Sequence, residues 1–239
     1  MEKKLSLAKK GEFLTLLDAI SKISDSAIVD VKEDKITSLV SSVDNTLVLY
    51  SEYAAPSKVQ DTLNIPDIKK LARVLDTIET EEIDLQVNSN NIEYAGNNVK
   101  FKYHLFEEGF LTNPNLNLEK INKFKFDIEF NLSKLTLQQI FKGSTFTSET
   151  NKIYFYTEEN KLMAELTDRA RHNTDNFSLC LGDTDFTLDP IPVNFDNIRL
   201  LSIIDNEFKV KINTEYGVVV FEIEANNIKL KYIISALTQ

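Results

Sequence analysis

Asn97–Phe106 reads NNVKFKYHLF, and Asn226–Ser235 reads NNIKLKYIIS. Five of the ten aligned positions are identical (Asn97/Asn226, Asn98/Asn227, Lys100/Lys229, Lys102/Lys231, Tyr103/Tyr232), and Val99/Ile228 and Phe101/Leu230 keep apolar character. A strand-like pattern written twice in one chain points to an internal duplication, which then has to be sought in the elements on either side.

Working outward, each half carries a similar succession of elements. Residues 3–8 alternate as a first strand, and from Lys10 to Ser24 the apolar residues Phe13, Leu16, Leu17, Ile20 and Ile23 fall on one helix face. AIVDV, ITSLVSS and TLVLYSEY read as strands, followed by a polar connection from Ala54 to Asn64 containing Pro56. A second helix is expected to open at Pro66 and to bury Ile68, Leu71, Leu75 and Ile78. Strands at Glu82–Val87, Asn91–Tyr94 and Val99–Phe106 close the half.

The second half opens with FKFDIEF and a helix from Ser133 to about Gly143, whose LTLQQIF parallels LTLLDAI of the first helix. KIYFYTE, KLMAELT and NFSLCLG are strands, a connection carries Pro190 and Pro192, and NFDNIRLLSIID supplies a short helix. In it Ile198, Arg199, Leu201 and Ile204 match Ile68, Lys69, Leu71 and Val74. FKVKIN, VVVFEIE and NNIKLKYII complete the repeat. The expected organisation is a domain over 1–106, an Asn-rich connector over 107–124, and a second domain over 125–239.

With 239 residues, 42% hydrophobic and 27% charged, the chain has material for two folded domains. No apolar run reaches the roughly 18 residues of a membrane span. The N-terminus has no apolar h-region, so a cytoplasmic address is expected. Cys180 stands alone in FSLCLGD and reads as a buried structural thiol.

A net charge of −10 excludes a protein that binds nucleic acid with its whole surface, but leaves room for a local basic patch. Basic residues collect on helix faces: Lys69, Lys70 and Arg73 on the second helix, Lys134 and Lys142 with Gln138 at steps of four on the third, and Arg199 on the fourth. Lys10 and Lys22 on the first are offset by Asp18. Chemistry is sparse. His104 and His172 have no partner at metal-ligand spacing, KGST lacks the order of a phosphate-binding loop, and Asp183 and Asp185 read as a strand-ending turn. The expectation is therefore a protein that is not an enzyme and carries no metal or cofactor.

Two tandem halves, each with two helices packed on strands, a long connector, and Leu230-Lys231-Tyr232 before a short apolar tail resemble the DNA polymerase sliding clamps. LTLQQIF, the Lys152–Thr157 strand and FSLCLGD are similar to the second domain of clamps from large tailed bacteriophages. The resemblance implies an α+β DNA-clamp fold with antiparallel sheets. It implies a homotrimeric ring around duplex DNA that tethers the replicative polymerase and is opened by a clamp-loader ATPase, in the host bacterial cytoplasm if viral. It places Lys10, Lys22, Lys69, Lys70, Arg73, Lys134, Lys142 and Arg199 toward phosphates. Subunit contacts are carried over to Val99, Phe101, Tyr103 and Leu105 in one domain and Phe177, Leu179 and Leu181 in the other. A pocket for partner peptides is carried over to Val43, Leu47, Phe110, Leu111, Ile233, Ile234 and Ala236.

Two readings compete with it: a duplicated acidic interaction module that never meets DNA, and a hydrolase using Asp183 and Asp185 with a metal ion.

Overall fold

The computed structural model describes residues 3–55, 60–116, 118–201 and 206–237. Two compact units divide the chain, one of residues 1–116 with 224–231 and one of residues 117–223 with 232–239. The first contains, in chain order, β1 (Lys3–Leu7), α1 (Lys10–Ser21), β2 (Ala27–Val31), β3 (Lys35–Ser41), β4 (Leu47–Ala54), β5 (Asp61–Ile65), α2 (Ile68–Asp76), β6 (Ile83–Val87), β7 (Asn91–Ala95) and β8 (Lys100–His104). A short α3 (Leu118–Asn122) follows. Next come β9 (Ile128–Leu132), α4 (Lys134–Gly143), β10 (Lys152–Glu158), β11 (Lys161–Leu166), β12 (Phe177–Asp183), β13 (Ile191–Asn194), α5 (Phe195–Arg199), β14 (Phe208–Asn213), β15 (Val218–Ala225) and β16 (Ile228–Ser235). With α3 set aside, the second series repeats the first element for element.

Strand order repeats as well. β1-β6-β7-β8 corresponds to β9-β14-β15-β16, and β5-β2-β3-β4 to β13-β10-β11-β12. The strands pair antiparallel, for example Leu5 opposite Leu85, Phe155 opposite Ala164 and Val210 opposite Phe221. The repeated Asn-Asn stretch forms the turn and second strand of a hairpin in both places. The first closes by the Gly96 amide donating to the Val99 carbonyl at 2.9 Å, and the second turns at Asn226, whose φ of 54° lies in the left-handed region that Asn tolerates. Tyr103 and Tyr232 then enter the two cores, 5% and 0% exposed.

Helix starts follow capping chemistry. The Ser133 hydroxyl accepts the Thr136 amide at 3.0 Å, the Asp67 carboxylate accepts the Lys70 amide at 2.8 Å, and the Asn194 carboxamide oxygen accepts the Asp196 amide at 3.0 Å. Pro66 therefore precedes the cap of α2 and does not occupy its first turn. α1 buries Phe13, Leu16, Leu17 and Ile20 and packs against α2, but it ends at Ser21, leaving Ile23 outside the helix. α5 seats Phe195 edge-on against Phe141 of α4 at 6.1 Å.

Two expected connections are strands. Within the Ala54–Asn64 segment, β5 pairs with β2 and buries Leu63 and Ile65. The Pro190–Pro192 segment contains β13, paired with β10. Pro192 is tolerated because β13 ends its sheet, so no further strand of that sheet needs its missing N–H; its carbonyl accepts the Leu237 amide at 2.8 Å. The helix expected across Asn194–Asp205 is described only for α5; Ile204, like Pro56, lies outside the described residues.

Tyr103 also ties β8 to α2. Its Oη accepts the Asp67 amide at 3.0 Å and donates to the Asp67 carbonyl at 2.7 Å. Burial pushes its phenol up to about 12. A raised tyrosine value means the neutral form is favoured in the folded chain, so this contribution is whole below the ordinary value near 10 and is lost as pH rises to about 12. Tyr103→Phe is expected to lower stability by about 1–2 kcal/mol at neutral pH and to flatten part of the alkaline fall in denaturant midpoint between those values.

Candidate functional site

β8 and β12 end their sheets, and neither has a strand partner on its outer side among the described residues. Their equivalents do have partners. β4, the counterpart of β12, is flanked by β16, whose Ile228–Lys231 belongs to the first unit; the Ala54 amide donates to the Asn227 carbonyl at 2.7 Å. The chain thus satisfies one edge of each kind internally and leaves one of each kind open.

Along β12, half-buried Phe177, Leu179 and Leu181 alternate with exposed Ser178, Cys180 and Gly182. Cys180 is exposed, not the buried thiol that its apolar neighbours suggest, because odd and even residues of a strand face opposite ways. Along β8, Phe101 is half-buried and stacks on Tyr94 at 5.9 Å, while Val99 and Leu105 flank the strand, also half-buried. Tyr103 is core, so it holds β8 in place from behind rather than offering side-chain contact surface.

The helices present their cations unequally. Lys69, Lys70 and Arg73 are exposed on α2, and Lys142 is exposed at the end of α4 with Lys134 half-buried at its start. Arg199 is exposed on α5, lies over the Phe195 ring at 4.6 Å and pairs with Asp196 at 2.8 Å. Lys69 pairs with Asp25 at 3.3 Å and Lys22 with Asp18 at 3.2 Å. Such solvent-exposed pairs contribute about 0–1 kcal/mol, so each can be exchanged for a stronger anionic partner. Lys10 departs from expectation: it is 5% exposed and its ammonium is bonded to the Ile78 carbonyl inside the first unit. A lysine held that way caps the backbone after α2 and has no charge to present outward.

The residues carried over to a peptide pocket separate into walls and core. Leu47 and Ile234 are 0% exposed and Ile233 6%, so each belongs to the core of its own unit. Val43 is fully exposed and Phe110 70% exposed, the latter stacked on Phe106 at 5.7 Å. Leu111 lines a cleft of about 240 Å³ with Leu39, Val40 and Asn45, beside the β3–β4 turn that carries Val43. Ala236 donates its amide to the Gly217 carbonyl at 2.7 Å in the second unit.

A second cleft, missed in the sequence, lies within the second unit. Tyr154, Arg169, Pro190, Pro192 and Leu237 enclose about 530 Å³ with Lys152, Ala170 and Asp189 at its margin. Arg169 is fixed between the Tyr154 and Tyr156 rings, 4.9 and 4.5 Å from their centroids, and pairs with Glu165 at 2.6 Å. Lys152 on Asp168 at 2.8 Å holds that carboxyl below the usual range. The only hint in the sequence was the prolines, whose rigid backbone makes ready-shaped apolar walls.

Among the described residues, no three His, Cys, Asp or Glu side chains gather as a metal site, and no helix is long and apolar enough to cross a membrane. His104 and His172 are exposed, and Asp183 closes β12.

No family model and no curated protein matches the sequence. Solved structures do match in shape. PCNA of A. fulgidus, determined with the C-terminal region of FEN-1 bound, superposes with a TM-score of 0.75 at 12% identity, over 100% of this chain and 99% of that one. The Proliferating Cellular Nuclear Antigen of Entamoeba histolytica gives 0.78 at 12% over 99% of both chains. PCNA of Thermococcus kodakaraensis gives 0.74 at 13%, over 98% of this chain and 99% of that one. At such identities the likeness establishes fold: the chain has the α+β clamp fold.

Arg169→Ala is expected to lower the stability of the second unit by about 1–2 kcal/mol, by removing two ring contacts and an ion pair, and to speed amide exchange in the loop after β11. Hydrogen exchange read by mass spectrometry checks this.

Proposed function

We propose that this chain is a sliding clamp. Copies join head to tail, β8 of one against β12 of the next, and close as a homotrimeric ring around duplex DNA that tethers the replicative polymerase. The observation that carries this reading is the pattern of edges. β4 and β16 are neighbours within the chain, whereas their equivalents β12 and β8 have no strand on their outer sides among the described residues. An open ladder invites another strand, and a head-to-tail contact between unlike edges generates a closed ring when the rotation allows it.

The physical task needs no bond made or broken. Phosphate contacts from Lys69, Lys70, Arg73, Lys134, Lys142 and Arg199 position the duplex without reading its sequence, and that indifference permits sliding. Lys22 joins them by giving up its pair with Asp18. At physiological salt, charges farther than about 8 Å are largely screened, so these cations act locally despite the net charge of −10.

Partners dock as short apolar peptides. The connector cleft at Leu111, beside the Val43 turn, and the cleft at Tyr154, Pro192 and Leu237 have suitable walls. That the A. fulgidus protein holds the C-terminal region of FEN-1 supports a peptide-docking role. A clamp-loader ATPase opens the ring, and the second-half motifs favour a large tailed bacteriophage, hence the host bacterial cytoplasm.

Sedimentation should give a species of three chains, alone or in exchange with monomer; a strict monomer at all concentrations would favour an interaction module instead. In primer extension with clamp loader and ATP, the protein should lengthen products at equal polymerase. Lys69→Glu with Lys134→Glu should shorten them about tenfold or more while leaving the sedimenting species unchanged. Unshortened products from that variant would remove the phosphate-facing assignment.

A further inference from the structure

Helix α4 ends on a glycine because an aromatic ring occupies the space a side chain would need. Gly143 is the last residue of α4 and is buried. Phe177, the first residue of β12, lies against it: a Cβ built on Gly143 would sit 2.7 Å from Cγ of that ring and nearer still to Cδ1 and Cε1. Carbon atoms in contact prefer about 3.5–4.0 Å. Gly143 is not among the residues with positive φ, so its backbone conformation is open to any residue, and proximity alone excludes one.

The glycine belongs to one repeat only: with the helix starts Lys10 and Lys134 laid over one another, the position of Gly143 falls on Ala19, which is buried and carries a Cβ. The edge strand of that first repeat, β4, has a further neighbour in β16; β12, over which α4 packs, has none on its outer side among the described residues. A strand with a partner on both sides is held by two ladders, whereas β12 is held by one, together with whatever grips its side chains. Phe177 pairs with Leu166 across that single ladder, and Gly143 lets its ring come close against the helix.

We propose that Gly143 is a positioning residue for subunit assembly: by seating Phe177 on α4 it fixes the start of β12, so that the open edge is already ordered when the neighbouring subunit's strand arrives. This rests on the clamp reading, since it concerns the strand that reading assigns to the subunit contact. It also links the two functional surfaces, because Lys142 at the end of the same helix precedes Gly143. Ordering an edge before association removes an entropic cost from binding, which is why such a contact shows itself in assembly more than in the isolated fold.

The test is sedimentation velocity over a concentration series for the native chain, Gly143→Ala, and Gly143→Ala with Phe177→Leu, with thermal melting alongside. Alanine is the better helix former, so without the ring the single change would stabilise α4. With the ring in place it should weaken association about tenfold or more while the chain stays folded, and the smaller leucine side chain of the double variant should restore most of the association. Unchanged association of Gly143→Ala, or a double variant no better than the single, overturns the proposal. If the single variant fails to fold, recovery of folding and association by the double supports it, and an unfolded double overturns it. A native chain that never associates instead sinks the clamp reading itself.

Discussion

An antiparallel sheet that stops leaves a row of amide and carbonyl groups in need of partners, and this constraint organises the whole chain. Duplication doubles the problem, since each repeat brings two four-stranded sets with two ends each, and β4 and β16 join two of those ends in one eight-stranded sheet. The Pro-bearing strand β13 blunts one end, and Phe106 donates its amide to the Asn64 carbonyl on β5 at another. β16 covers β4. The other ends are β1, β9, β8 and β12; of these, β8 and β12 set half-buried apolar groups among exposed polar ones, a composition suited to contact as well as to water.

The helices answer a different constraint. Their apolar stripes are taken up by the unit to which each belongs, as with Phe13, Leu16 and Ile20 of α1 or Leu137 and Ile140 of α4, which leaves the opposite face free for composition to vary without harm to the fold. Lysine and arginine concentrate there, in a chain whose acidic residues outnumber its basic ones by 37 to 27. Lys10 shows the limit of that freedom. It lies near the β1–α1 junction, where a carbonyl after α2 needed a donor, and its charge is used for that purpose.

Periodicity made most of the fold readable. Strands such as KIYFYTE and VVVFEIE and helices with apolar residues at steps of three and four carry their own signal, and the Asn-Asn hairpin with its alternating lysines exposed the duplication. The elements that escaped were short or carried a contrary residue. DTLNI offers only two apolar positions, and IPVN contains the residue most often taken to end a strand. Site residues were less legible, because one sequence position cannot show which way it faces. Cys180 looked buried among Leu179 and Leu181 and is exposed, while Ile234 looked available and is sealed. The cleft around Arg169 depends on β10, the loop after β11 and the chain end coming together, and no local pattern announces such a meeting.

The first compact unit includes Glu224–Lys231, so its strand β4 waits for a segment near the far end of the polypeptide. A ribosome makes about 5–20 residues each second, and the N-terminal portion therefore spends some seconds outside the exit tunnel with that flank unoccupied. Pairings between such distant parts of a chain form late and slowly. Nascent chains on one messenger stand close together in that interval, and a sheet still missing its last strand is where they would entangle.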